Sequence, residues 1–226
     1  MEPHEFWQEV HAPDTFDTGG PYEEGYPAVL DDGRQIRLPI RALADGHHGL
    51  ASLIINQASF TVQDALSHEL ARHLAPLRPD IIVGLPTLGL TLAAQVARKL
   101  GHSRYVPLGT SRKFWYDDKL SISISSITTP DQAKRLYIDP RMLPLVENRR
   151  VVLVDDVVSS GTSMRAGLDL LSCCGIEPIA LAVAMVQTSI WKSRLEGWPE
   201  RLISAFSTPR LEKTEKGWMP ISESEH

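Results

Sequence analysis

The segment Val151-Val152-Leu153-Val154-Asp155-Asp156-Val157-Val158-Ser159-Ser160-Gly161-Thr162-Ser163 concentrates the residues best suited to chemistry. Four aliphatic residues read as a buried strand that delivers two carboxylates to the edge of a sheet, and a turn of small residues then opens a helix. Small residues let backbone N–H groups approach an anion closely, and a helix start adds unpaired donors and roughly half a positive charge. The hydroxyls of Ser159, Ser160, Thr162 and Ser163 add donors to the same anion, so a phosphate fits. A carboxylate pair would repel that phosphate, so Asp155 and Asp156 need other partners, for which sugar hydroxyls and a magnesium ion are suitable. The plainer alternative is a strand ending in solvated acids, with serines capping the next helix.

The surrounding pattern supplies elements to position these groups. Residues 1–50 are rich in Pro, Gly and Asp with little periodicity and read as an irregular cap. Asp64 is placed to cap a helix running to Ala75, with Leu66, Leu70 and Leu74 on one stripe. Ile81 to Leu85 reads as a strand buried on both faces, Pro86 to Gly89 as a loop, and Leu90 to Leu100 as a helix stopped by Gly101. Tyr105 to Leu108 is a short strand. Residues 109–149 form a long connection around the alternation Ser121-Ile122-Ser123-Ile124, a β-ribbon or loop of the kind that often serves as a lid. Gly161 to Cys174 reads as a helix with Gly175 after its end, and Ile179 to Val186 as another buried strand. Alternating strands and helices imply an α/β fold with a parallel sheet flanked by helices, whose ligands sit outside the carboxyl ends of the strands.

The thirteen-residue segment from Val151 resembles the signature by which type I phosphoribosyltransferases bind phosphoribosyl pyrophosphate (PRPP). The resemblance extends over roughly residues 79–190 and implies that Asp155 and Asp156 take the ribose hydroxyls, with magnesium held mostly through PRPP and water. Val157, Val158, Ser159, Ser160, Gly161, Thr162 and Ser163 complete the implied PRPP-binding segment, in which Ser159 to Ser163 take the 5′-phosphate. Pro86, Thr87, Leu88 and Gly89 stand where the family has its pyrophosphate loop. Arg112 and Lys113, within Ser111 to Tyr116, resemble the basic residues that adenine and orotate enzymes bring to pyrophosphate from the root of a flexible loop. Ser52 to Phe60 is similar to the segment with which xanthine enzymes bring an Asn to the base edge. Asn56 or Gln57 is therefore the expected base contact, and Phe60, Trp115 or Trp191 a stacking partner.

These matches imply a hood built from residues 1–60 and 191–226 over a core of residues 61–190. The implied reaction is transfer of the phosphoribosyl group to a nucleobase, a purine before orotate, with release of pyrophosphate. Enzymes for hypoxanthine and guanine usually have an acid where this chain has Ser159, so their base chemistry is not carried over. A non-catalytic PRPP sensor of the same fold and an enzyme for a non-nucleobase acceptor are the rival readings. The family also implies a homodimer.

Composition narrows the field further. With 226 residues, 42% of them hydrophobic, the chain suffices for one α/β domain with an appendage. A net charge of −5 gives no broad basic field for nucleic acid or an anionic membrane. No stretch approaches the roughly 18 apolar residues of a membrane span, and the two cysteines, Cys173 and Cys174, are sequence neighbours, so a cytoplasmic setting is expected. Gly84 to Thr91 imitates a nucleotide-binding P-loop, but Leu90 stands where the lysine belongs. His68-Glu69 and His73 imitate a zinc motif at a spacing that separates the imidazoles on a helix, so no zinc is expected.

Overall fold

The computed structural model describes residues 2–124 and 134–221; Met1, residues 125–133 of the expected lid and 222–226 of the expected hood lie outside the described residues. In chain order the elements are β1 (Tyr26–Val29), β2 (Gln35–Leu38), β3 (Ile40–Ala42), β4 (His48–Ala51), α1 (Phe60–Leu74), β5 (Ile81–Gly84), α2 (Gly89–Lys99), β6 (Val106–Pro107), β7 (Ser121–Ile124) and β8 (Lys134–Tyr137). They continue with β9 (Val151–Val158), α3 (Thr162–Cys173), β10 (Ala180–Gln187), α4 (Trp191–Arg194), β11 (Leu202–Thr208), β12 (Arg210–Thr214) and β13 (Gly217–Pro220).

The central sheet has the order β11-β10-β9-β5-β6, with every neighbouring pair parallel. Its middle strands are apolar throughout because both faces are covered. On one face Val62, Leu66 and Leu70 of α1 and Leu92 and Val96 of α2 pack on Val152 and Val154. On the other, Met164, Leu168 and Leu171 of α3 pack against Val151 and Leu153. From β9 the chain passes through α3 to β10 in one direction, and from β5 through α2 to β6 in the other. The boundary between β5 and β9 is therefore the switch point of the sheet, and the two helices that follow these strands lie on opposite faces.

Segments from both ends of the chain build the hood. β3 and β4 join β12 and β13 in an antiparallel sheet of order β13-β12-β4-β3. Gln187 Nε2 donates to the Ala51 carbonyl at 2.7 Å and ties this hood to the carboxyl end of β10. β7 and β8 pair as an antiparallel ribbon. Its root is firm, with Leu136, Ile138 and Val146 fully buried and Tyr137 exchanging backbone hydrogen bonds with Gly109 at 2.8 and 3.0 Å.

Several elements differ from the sequence-based expectation. The N-terminal region is not irregular: β1 and β2 form a hairpin closed by Leu30 and Arg34, and strands of three or four residues are too short to show alternation above the noise of turn residues. β6 covers only Val106–Pro107. α1 begins earlier than expected, at Phe60, because Ser59 and not Asp64 is its cap; Ser59 Oγ accepts from Val62 N at 3.2 Å and donates to the Gln8 carbonyl at 2.7 Å. Asp64 instead pairs with Lys99 Nζ at 2.6 Å on the surface.

Replacement of an N-cap serine costs about 1 kcal/mol, which in a domain of this size lowers the melting temperature by roughly 2–4 °C. Ser59→Ala is expected to show a loss of that size in thermal unfolding followed by circular dichroism, and Asp64→Ala a smaller one. Equal losses would return the capping role to Asp64.

Candidate active site

The acid pair does not sit at a solvated sheet edge. β9 runs on through Asp155 and Asp156 to Val158, and the two residues are only 6% and 8% exposed. Regular alternation would place Val157 on the α3 face with Val151 and Leu153, yet it packs with Val152 and Val154 on the opposite face, while Val158 joins the α3 side. The strand thus changes its facing across the two acids. Within that step Asp156 N donates to Asp155 Oδ1 at 2.9 Å. Burial, reinforced by the charge of Asp156, holds the Asp155 carboxyl well above the usual carboxylate range. Burial also raises Asp156. No cation among the described residues pairs with either carboxylate, so their charge is left for a ligand to meet.

The loop Pro86 to Gly89 closes one side of the pair. Leu85 N extends the ladder to the Val154 carbonyl at 2.9 Å, the Pro86–Thr87 peptide is cis, and α2 begins at Gly89. A methyl group on Gly89 would lie 2.7 Å from Asp155 Oδ1 and 2.8 Å from Asp155 Cα. Only glycine lets the helix start this close to β9. Leu88 offers no side-chain cap; Thr91 N has only a long contact of 3.3 Å to the Leu88 carbonyl, and the Gly89 and Leu90 amides make no described hydrogen bond beside the acids.

On the other side Ser159 to Ser163 make the turn into α3. Gly161, at φ +75°, takes the left-handed conformation that glycine adopts without strain, and a side chain there would meet Leu195 Cγ at 3.2 Å and Trp191 Cβ at 3.4 Å. The helix start is again open: Gly161 supplies no cap, and Thr162 N has only a long contact of 3.4 Å to Ser160 Oγ. Ser160 and Ser163 are exposed. A cavity of about 170 Å³ adjoins the turn, lined by Ile122, Ile124, Thr162, Arg165, Asp169 and Arg194 among others. Arg194 has no counterpart in the sequence-based reading. Its Nη1 donates to the Ser160 carbonyl at 2.9 Å and to Thr162 Oγ1 at 2.5 Å, and its distance in sequence from the turn hid it.

The remaining candidates divide. Arg112 and Lys113 lie at the root of the ribbon connection, both exposed; Arg112 is paired with Asp118 at 2.8 Å, and Lys113 makes no described ion pair. Asn56 and Gln57 are exposed on a single 3-10 turn, Ile55–Gln57. The three stacking candidates fare worse. Trp191 is 5% exposed and donates from Nε1 to the Thr188 carbonyl; it is the floor beneath Gly161, not a free face for a base. Trp115 donates to Asp139 and has Arg141 stacked 4.3 Å from its ring centre. Phe60, 85% exposed, borders a depression with Arg34, Asp64 and His68, and no described contact takes it to the acid pair. The sequence signals aromaticity but not which rings the core and its polar partners consume. Elsewhere, Glu69 and His73 meet Asp31, with Arg72 donating to both carboxylates.

Comparison with known proteins places this geometry. The chain is 31% identical over 113 residues to the bifunctional protein PyrR of Corynebacterium diphtheriae, covering 48% of this chain and 54% of that protein. It is 30% identical over 162 residues to that of Desulfosudis oleivorans, covering 70% and 81%. An orotate phosphoribosyltransferase of Methylibium petroleiphilum is 32% identical over 106 residues, covering 47% and 38%. The first of these relatives is thus matched over little more than half of its length and the orotate enzyme over less than half. Among solved structures, the adenine phosphoribosyltransferase of Giardia lamblia, complexed with 9-deazaadenine, superposes with a TM-score of 0.55 at 21% identity, covering 66% of this chain and 80% of that one. That of Leishmania tarentolae gives 0.51 at 17%, covering 90% and 84%. The family model of the phosphoribosyl transferase domain matches residues 50–217, which span the acid pair, both loops and, of the hood, the end of β4 and all of β12, and the chain belongs to that family.

Proposed function

We propose that the protein transfers the phosphoribosyl group of PRPP to a nucleobase, a purine before orotate, releasing pyrophosphate. The observation that carries this reading is the buried acid pair of β9, paired with no cation among the described residues and set between two helix starts without side-chain caps. PRPP has hydroxyls for the acids and an anion for each helix start. In this reading Asp155 and Asp156 accept hydrogen bonds from the ribose hydroxyls, Ser159 to Ser163 donate to the 5′-phosphate, and Pro86 to Gly89 receive the pyrophosphate. Magnesium fits the same donor set, since hard carboxylate oxygens without a cationic partner suit it; when bound with PRPP it would neutralise pyrophosphate charge. Lys113 adds positive charge toward the leaving group, and Asn56 or Gln57 of the hood meets the base edge. The match to an orotate enzyme keeps orotate as the second acceptor. The protein is expected to be a homodimer.

The direct test incubates the protein with PRPP, magnesium and each of adenine, xanthine, hypoxanthine, guanine and orotate while pyrophosphate is followed. Release with a purine is expected. Release with orotate alone would move the acceptor, and none above the base-free control would leave a PRPP-binding protein without transfer.

The acid pair makes a second test. Because the folded-state values lie above those of the unfolded chain, the native state binds the extra proton, and the stability this contributes is lost as pH rises through the raised values. Asp155→Asn removes one of these charges. The ligand-free variant is expected to melt above the wild type at pH 8, with the difference shrinking toward pH 4, while PRPP binding by calorimetry is abolished. Wild-type PRPP affinity in the variant would refute the assignment of the acids.

Lys113→Ala is expected to lower kcat roughly a hundredfold, the scale of one donor removed from developing charge, with a smaller change in KM. A change confined to KM would mean that Lys113 holds ground state and transition state alike.

A further inference from the structure

The proposed phosphate turn contains no cation between Val157 and Ser163, and it lies next to two acids. A dianion held there by dipoles and hydroxyls alone would face their repulsion. Two arginines adjoin the turn. Arg165 is engaged by Asp169 at 2.7 Å. Arg194 has no carboxylate partner among the described residues, is exposed, and reaches the turn from α4 with two hydrogen bonds from a single nitrogen. Its Nε and Nη2 make no described hydrogen bond, so donors remain for a further acceptor.

The rest of α4 fixes that reach. Trp191 and Leu195 are buried beneath Gly161, close enough that a methyl group there would crowd both. The Trp191 indole is pinned to the Thr188 carbonyl at 3.1 Å. The guanidinium is thus carried by a floor packed into the core. By donating to Thr162 Oγ1, it fixes that oxygen as an acceptor and directs the hydroxyl hydrogen away from itself, toward Ser160 Oγ at 3.0 Å or a bound anion.

We infer that Arg194 is part of the 5′-phosphate subsite: it positions the Ser160–Thr162 turn and supplies the positive charge that the turn lacks, so that a phosphomonoester is held by a side chain from outside the signature segment. The inference rests on the PRPP reading of the site above.

The test titrates wild type, Arg194→Gln and Arg194→Lys by calorimetry with PRPP, with ribose 5-phosphate and with inorganic pyrophosphate, each with magnesium. Loss of a charged hydrogen-bond donor is expected to weaken PRPP and ribose 5-phosphate by a similar factor, roughly ten- to a hundredfold in Arg194→Gln. Arg194→Lys should recover part of the loss, because the charge returns without the fork. Pyrophosphate affinity should stay within twofold. PRPP affinity unchanged in Arg194→Gln would overturn the inference. So would a parallel loss of pyrophosphate binding with a fallen melting temperature and no recovery by lysine, the mark of a purely structural contact. A wild type that binds neither PRPP nor ribose 5-phosphate would instead remove the reading on which the inference stands.

Discussion

Two adjacent carboxylates buried in a parallel strand, with no cation among the described residues to meet them, set the terms for the rest of this protein. Taking an unpaired carboxylate out of water costs several kcal/mol even after relaxation. That cost is why burial displaces both acids toward the neutral form in the ligand-free protein. A ligand that brings hydroxyl donors and a metal ion removes the cost another way. In the proposed reading the same pocket also receives the ligand's own anions, for which the two helix starts on either side of the acids supply donors.

Only one place in this sheet permits that arrangement. Where the winding changes direction between β5 and β9, α2 and α3 leave adjacent strands on opposite faces and their amino ends converge on the carboxyl edge. Close approach is demanded on both sides, and each side meets it with a glycine: Gly89 against Asp155, and Gly161 against the Trp191–Leu195 floor. Segments from opposite ends of the chain then close over the edge. β4 and β12 pair side by side, and Gln187 at the end of β10 holds the hood in place from beneath.

The sheet and its flanking helices were legible because they are driven by local pattern. Ile81 to Gly84, Val151 to Val154 and Ala180 to Val186 are runs that only two-sided burial explains, and Gly101 and Gly175 turn the chain just past the ends of their helices at φ +81° and +72°. The strand-to-helix turn at Ser159 to Gly161 was legible for the same reason: its small residues are consecutive in sequence. What escaped depended on tertiary partners. Nothing local distinguishes the cap Ser59 from Asp64 until the Gln8 carbonyl is seen, and nothing shows that Trp191 is buried and Trp115 covered by Arg141. The step in β9 at the acids, which keeps them inside the strand and not at its edge, breaks the alternation on which a strand boundary is read. Arg194 lies outside any motif and becomes visible only when α4 folds back beneath Gly161.

The same dependence on tertiary context separates two residues that looked equivalent. Arg112 and Lys113 are neighbours, and by charge alone either suits a departing pyrophosphate. Arg112 is held by Asp118 in an ion pair with two hydrogen bonds, on a connection anchored where Gly109 meets Tyr137. An arginine so engaged helps to shape the root of the ribbon, and its field is largely cancelled at a distance by its partner. Lys113 has no such partner among the described residues, and its long stem leaves the charge mobile. In the proposed reaction, the lysine is therefore the better placed of the two to answer charge that develops on a leaving group, because an unpaired, reorientable charge is not already engaged by a partner.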